Sequence, residues 1–306
     1  MPPIALAPST TPQVAQAWVL IAADGSEIDL SQIFTSDIGI GVLVGPRGGL
    51  LPPFEFSEEE VPLQPGTRLR TVRTRPREYD LPLHIADTTT VLLAQRVAEL
   101  ARALDPTKGD VKIRKTSVDG TVRELTCRYK SGLEGDDNTR GYGIVWRQVL
   151  LTFRAFDPYW YAPAAISVTY QLAVTTALFF PILPLRLTSS AVFSEATIDN
   201  VGSTIAWPVW EVIGPGSALV LDNLTTGERL SLDVTLAGGE GVTIDTRPGR
   251  KSVTGYAGAN LFGSLSADSS LWALASGNNT VRISLAAATP ESVVRLNYTP
   301  RDVAAP

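Results

Sequence analysis

Across 306 residues, a single stretch carries apolar side chains at helical spacing, while nearly everything else alternates or breaks at turn residues. In "DTTTVLLAQRVAELARALDP", Leu93, Val97, Leu100 and Leu104 recur at steps of four, three and four, which puts them on one face of a helix over about 89–104. Asp87 or a following threonine can cap its start, and Asp105-Pro106 ends it. One amphipathic helix among strands has to bury its apolar stripe across a sheet. The chain is therefore read as mainly β with one packed helix.

The strand signals flank that helix. "WVLIAADGSEIDL" places two strand-like runs around Asp24-Gly25, and "VKIRKTSVDGTVRELTCRYK" repeats the design around Asp119-Gly120, with Leu125, Cys127 and Tyr129 on one face. From Ile166 onward short apolar runs are punctuated by Gly, Asn and Asp every 8 to 12 residues or so, the pattern of an all-β sandwich or jelly roll. A chain of this length favours two domains. Residues 1–160 carry 18 basic and 20 acidic side chains and 161–306 only 8 and 11, a shift that supports a boundary near 160. The expected organisation is an amino-terminal extension over 1–16, a sheet-plus-helix domain over 17–162 and a β-sandwich domain over 163–306.

Charge and residue counts narrow the chemistry. A net charge of -5 with no extended basic block argues against nucleic-acid binding. The start "MPPIALAPSTTPQ" has no basic n-region and does not read as a signal peptide, so synthesis in the cytoplasm is expected. Residues 158–185 lack charge over a membrane-spanning length, but Pro158, Pro163, Pro181 and Pro184 would leave backbone groups unpaired in lipid, and buried strands with a linker are expected instead. Cys127 and His84 are the only residues of their kinds, which excludes a His/Cys zinc site and leaves a Ser-His-Asp triad without a nucleophile elbow. Asp136, Asp137 and Asn138 lack calcium-loop spacing. Glu195, Asp199, Glu211, Asp222, Glu228, Asp233, Asp245 and Asp268 sit where turns begin or strands end, and no pair stands out as the acid and base of a glycosidase. No cofactor or metal site is expected, and no enzyme.

Two clusters remain. "RAFDPYWYA" packs Phe156, Tyr159, Trp160 and Tyr161 into six positions at the expected boundary; a core plug, a sugar-stacking platform and a domain seam all fit such a cluster. "TRLRTVRTRPR" places Arg68, Arg70, Arg73, Arg75 and Arg77 close after Glu58, Glu59 and Glu60, which suits an exposed ion-paired strand or a subunit contact. Trp207, Trp210 and Trp272 suit a sandwich core better than an aromatic platform.

The order of these signals resembles the distal tail proteins of long-tailed bacteriophages, the siphovirus tail components. The pieces are "RTRPREYDLPLHI", "LARALDPTKGD", "DGTVRELTCRYKSGLEG" and "LLTFRAFDPYWYA", followed by "FFPILPLRL", "IDNVGSTIAWPVWEVIGPG", "LDNLTTGERL", "GVTIDTRPGR" and "LWALASGNNTVRI". Together they cover most of residues 17–300. The resemblance implies a ring-forming amino-terminal domain, usually hexameric, and a galectin-like carboxy-terminal sandwich outside the ring. It implies a virion tail-tip location after assembly in the host cytoplasm. The implied partners are copies of itself, the tail tube protein, the tape measure protein, the tail-tip hub and receptor-binding proteins. Under that reading Phe156, Tyr159, Trp160 and Tyr161 form the domain seam and the five arginines a subunit contact. A carbohydrate-binding module for host-surface recognition is the alternative.

Overall fold

The computed structural model describes residues 16–32, 37–60, 65–134, 144–171 and 192–305. The Asp136–Asn138 loop, "FFPILPLRL" and nearly all of the 1–16 extension lie outside the described residues. Two compact units emerge: the chain up to Pro163 together with Asp302–Pro306, and Ala164–Arg301.

The first unit contains β1 (Ala17–Ile21), β2 (Glu27–Asp29), β3 (Gly39–Val42), β4 (Phe54–Glu60), β5 (Thr67–Thr74), β6 (Arg77–Ala86), α1 (Thr90–Ala103), β7 (Val111–Thr116), β8 (Val122–Ser131), β9 (Trp146–Ala155) and β10 (Trp160–Tyr161). Its main sheet runs β2-β1-β7-β8-β9-β6-β3, with β10 attached to β8. The two ends of that path meet. Leu30 donates to the Trp18 carbonyl, Val42 donates to the Leu30 carbonyl, and Ser31 bridges Gly41, so the sheet curls until its first and last strands are joined. Closure of this kind removes open edges. Strand alternation then sorts the residues. On β6, Tyr79, Leu81, Leu83 and Ile85 enter the core, while Glu78, Asp80, Pro82 and His84 face outward.

The helix forms where its spacing predicts. Leu93, Leu100 and Leu104 join the core and Val97 packs at its margin. Thr89 is the cap: its Oγ1 accepts from the Leu92 N–H at 3.2 Å. Asp87 does a different job just before the helix, where it accepts the Arg96 guanidinium through Nε and Nη2 at 3.0 and 2.9 Å. Both Asp-Gly hairpins are present, β1–β2 and β7–β8, with Gly25 and Gly120 at φ +85° and +82° as such turns demand. Leu125 and Cys127 are buried as their alternation requires.

The second unit is a sandwich. It comprises β11 (Ile166–Gln171), β12 (Val192–Asn200), β13 (Val209–Ile213), β14 (Gly216–Asn223), β15 (Glu228–Leu236), β16 (Gly241–Asp245), β17 (Ser252–Gly255), β18 (Gly277–Ala286) and β19 (Val293–Tyr298). One sheet runs β11-β19-β13-β16-β17 and the other β12-β18-β14-β15. Trp210, Val212, Ile244 and Leu296 of the first meet Leu219, Leu221, Leu232, Val281 and Ile283 of the second in one core. Trp272 fills that core beside Trp210, with ring centroids 5.6 Å apart and edge to face, and its Nε1 donates to the Leu221 carbonyl at 3.1 Å. A final strand, β20 (Arg301–Asp302), follows.

Thr89→Ala should remove about 1 kcal/mol from the first unit's unfolding free energy, the usual worth of a helix cap, and Thr89→Ser should restore most of it. Urea unfolding followed by far-ultraviolet circular dichroism checks this, and an unchanged midpoint in the alanine variant would show the cap idle.

Candidate functional site

Arg68, Arg70 and Arg73 lie on β5, with Arg75 just after it; β5 pairs with β4 as a two-stranded ribbon that joins no other sheet. Register decides what each face carries. Phe54 lies opposite Thr74 and Phe56 opposite Val72; a bulge after Ser57 then sets Glu58 opposite Leu69. One face of the ribbon thus shows Phe54, Phe56, Leu69 and Val72, all exposed, with Phe56 at 58% and Leu69 at 55%, and carries Glu58 beside Leu69 and Glu60 at its far end. The other carries Glu55 opposite Arg73, Ser57 opposite Thr71 and Glu59 opposite Arg68. Arg70 pairs with Glu59, and Arg75 with Glu55. These exposed pairs add little stability.

Arg77 does not belong with the other four. It is only 1% exposed, donates from Nη1 to the Gly48 carbonyl at 2.9 Å and from Nη2 to the Val303 carbonyl at 2.5 Å, and its Nε has no hydrogen-bond partner among the described residues. Burial pulls its pKa down to about 10. As a contact for a neighbouring subunit it is corrected by this burial: the side chain ties the loop before the ribbon to the chain's last residues. A cleft of about 400 Å³ at the ribbon's root is lined by Gly48, Leu51, Pro53, Pro76, Arg77, Glu78 and Arg154.

The aromatic cluster also divides. Trp160 is fully buried in the first unit's own core, edge to face with Tyr79 at 5.6 Å, and its Nε1 donates to the Gly49 carbonyl at 3.1 Å. Tyr79 in turn accepts from Trp18 Nε1 at 3.3 Å, and burial pushes its hydroxyl up to about 12. Phe156 is 61% exposed with the Arg154 guanidinium 5.7 Å over its ring. Tyr159 meets the Thr74 hydroxyl at 3.4 Å, and Tyr161 donates to Asp157 at 2.5 Å. Four neighbours in sequence thus take separate tasks within one unit, because strand β10 turns only Trp160 inward.

A feature that sequence reasoning missed completes this region. Residues 302–305 return to the first unit. Ala305 is buried there and donates its N–H to the Gly49 carbonyl at 3.1 Å. Lys115 Nζ reaches the Ala305 carbonyl at 2.7 Å, and Arg123 Nε pairs with Asp302 at 2.5 Å. "RDVAAP" has no periodicity that could have announced these bonds.

Most of the remaining candidates have structural partners. His84 stacks outside β6 on Trp146, with centroids 5.7 Å apart. Burial pushes the Cys127 thiol well above the usual range, which leaves it inert. Glu195 pairs with Arg282, Asp222 with Arg229 and Asp245 with Arg247. Glu211 accepts from the Tyr256 hydroxyl at 2.5 Å and from Arg295 at 3.1 Å, and these bonds hold its carboxyl below the usual value. Tyr256 lies over Gly241, where an added Cβ would sit 2.5 Å from its ring. Among the described residues no cluster of three His, Cys, Asp or Glu is set to hold a metal, and no helix is long and apolar enough to cross a membrane.

Two variants check this geometry. Trp160→Ala should destabilise the first unit by about 3–5 kcal/mol, the cost of emptying a large buried aromatic site, read from the unfolding midpoint; a change under about 1 kcal/mol would contradict its core role. Glu211 gives up its proton below the 4.5 of a free glutamate, so near and below that value the unfolded chain binds more protons. The stability it supplies at neutral pH is lost as pH falls through the folded value. Glu211→Gln should flatten that acid limb in unfolding free energy as pH falls below 4.5, and an unaltered slope would count against the bonds described.

With this geometry in hand, comparisons place the fold. Residues 201–302 match the family model described as the siphovirus-type tail component, C-terminal domain. The crystal structure of SPP1 Dit, titled a paradigm of the hub adsorption apparatus in phages infecting Gram-positive bacteria, superposes with a TM-score of 0.64 at 17% identity, covering 93% of this chain and 98% of that one. A chain of the phage P2 baseplate in its activated conformation with calcium gives 0.52 at 11% identity, covering 95% and 100%. No curated protein matches. Residues 201–302 are similar to the siphovirus-type tail component C-terminal domain, and the chain as a whole has a Dit-like fold.

Proposed function

We propose that this protein is a structural component of a phage tail tip, whose first unit assembles into a ring, hexameric by expectation, and whose sandwich unit decorates it. The observation that carries this reading is the agreement of fold over nearly the full length of both this chain and SPP1 Dit, joined to the family match over residues 201–302. The internal chemistry supports it: Glu195, Asp222 and Asp245 are paired with arginines and Glu211 with Tyr256 and Arg295, and the work proposed is joining parts, without turnover.

In this reading the ring links the tail tube protein and the end of the tape measure protein to the tail-tip hub and receptor-binding proteins, and it assembles in the host cytoplasm before joining the virion. Arg68, Arg70, Arg73 and Arg75, exposed on the ribbon, are the charged part of the subunit contact; Arg77 is not. A glycan-binding role is the second reading, and one observation favours it: Tyr256 lies over Gly241 at the five-stranded sheet and stays half exposed, as a sugar-stacking ring would.

Light scattering with negative-stain images of one purified fraction separates the two. The tail-ring reading expects six times 32.8 kDa, about 197 kDa, in particles with a central hole. A strict monomer that binds sugars on a glycan array, and loses them with Tyr256→Ala, would put the second reading in its place.

A further inference from the structure

The β4–β5 ribbon has an apolar face with nothing over it. Two strands alone are marginally stable in water, and this ribbon pairs with no other strand. Its ion pairs lie on and around the opposite face, so Phe54, Phe56 and Val72 at the root, with Leu69 beside Glu58 farther out, give it a defined side to bury. The same unit displays a second, largely apolar strip, with Gln148 and His84 as its polar members. On the outer face of β6 and β9, Pro82 lies opposite Leu150, and Trp146 stacks on His84 nearby. Ile144, just before β9, is 81% exposed and Leu150 is 53% exposed.

We propose that the ribbon's apolar face docks on the outer β6–β9 face of a second copy of this chain. The areas match. The four ribbon side chains expose roughly 400 Å² between them, and Ile144, Leu150 and the neighbouring Pro82 and Trp146 expose a similar amount. With the usual apolar share of an interface, a little over half, burying both gives a total of about 1,400 Å², inside the range of stable protein contacts. Either strip alone falls short of that. The ribbon joins β6 at its Arg77 end, whereas the strip lies from Pro82 toward the other end of that strand. Donor and acceptor are thus different surfaces, and the contact is head to tail, a geometry that closes into rings or runs on as filaments. The docking deepens the ring reading and rests on it for closure.

The test uses the full chain. Phe56→Asp combined with Val72→Asp, and separately Leu150→Asp, place a charge on donor or acceptor at exposed positions, and unchanged melting of each variant establishes that it folds. Both should lose the oligomer that wild type forms, by light scattering. A chain carrying Phe56→Cys mixed with one carrying Leu150→Cys should be joined by a short bis-maleimide into a species of twice the chain mass. Either cysteine chain alone should not, since Cys127 is buried. Folded variants that keep the wild-type oligomer, with no cross-link in the mixture, overturn the docking and leave the ring reading intact. A monomeric wild type with no cross-link overturns both. A cross-link that requires both cysteines, in particles without a closed ring, upholds the docking and removes the ring.

Discussion

One backbone oxygen holds together three parts of the chain that are far apart in sequence. The Gly49 carbonyl accepts both the indole N–H of Trp160 and the amide of Ala305, each at 3.1 Å. Its neighbour Gly48 offers a carbonyl to Arg77 and takes φ +83°, where a side chain would collide with the Glu78 carbonyl at 2.0 Å. Only glycine allows that approach. If this corner loosened, the tryptophan would lose its hydrogen bond, the buried guanidinium one of its acceptors, and the terminal residues their anchor. An unpaired charge at such depth is costly, so the corner is a requirement for the unit's integrity more than a detail of its loops.

Burial of Arg77 also separates two kinds of arginine that look alike in the sequence. Arg68, Arg70, Arg73 and Arg75 are solvated, and two of them pair with glutamates across the ribbon, Arg70 with Glu59 and Arg75 with Glu55. Arg77, two residues past the last of them, bonds to backbone carbonyls from both directions along the chain. Position relative to the strand's entry into the main sheet makes the difference, because β6 begins at Arg77 and its odd-numbered residues point to the core.

Much of this was legible in the sequence. The helix could be read because Leu93, Leu100 and Leu104 obey one period and Thr89 stands ready to cap it; the hairpins announced themselves through Asp-Gly turns; the sandwich through short apolar runs. The ribbon was half legible: its arginines were visible, but "FEFSEEE" carries the facing apolar residues in the same alternation, and only the observed register reveals that Phe56 and Val72 share a face. Trp160 was noticed within its cluster, yet nothing local distinguishes it from Tyr159 or Tyr161, since which of three neighbours turns inward depends on pairing with β8. The terminal residues were not legible at all. Their bonds span more than a hundred positions, and no local pattern encodes a contact at that distance.

The placement of residues 302–305 carries a consequence for synthesis. A domain near the start of a chain ordinarily folds while the rest is still being made. Here the first unit lacks Asp302 for Arg123 and the Val303 carbonyl for Arg77 until the whole sandwich has left the ribosome. The unit begun first is the one finished last, so translation itself delays its completion until the second unit is in hand.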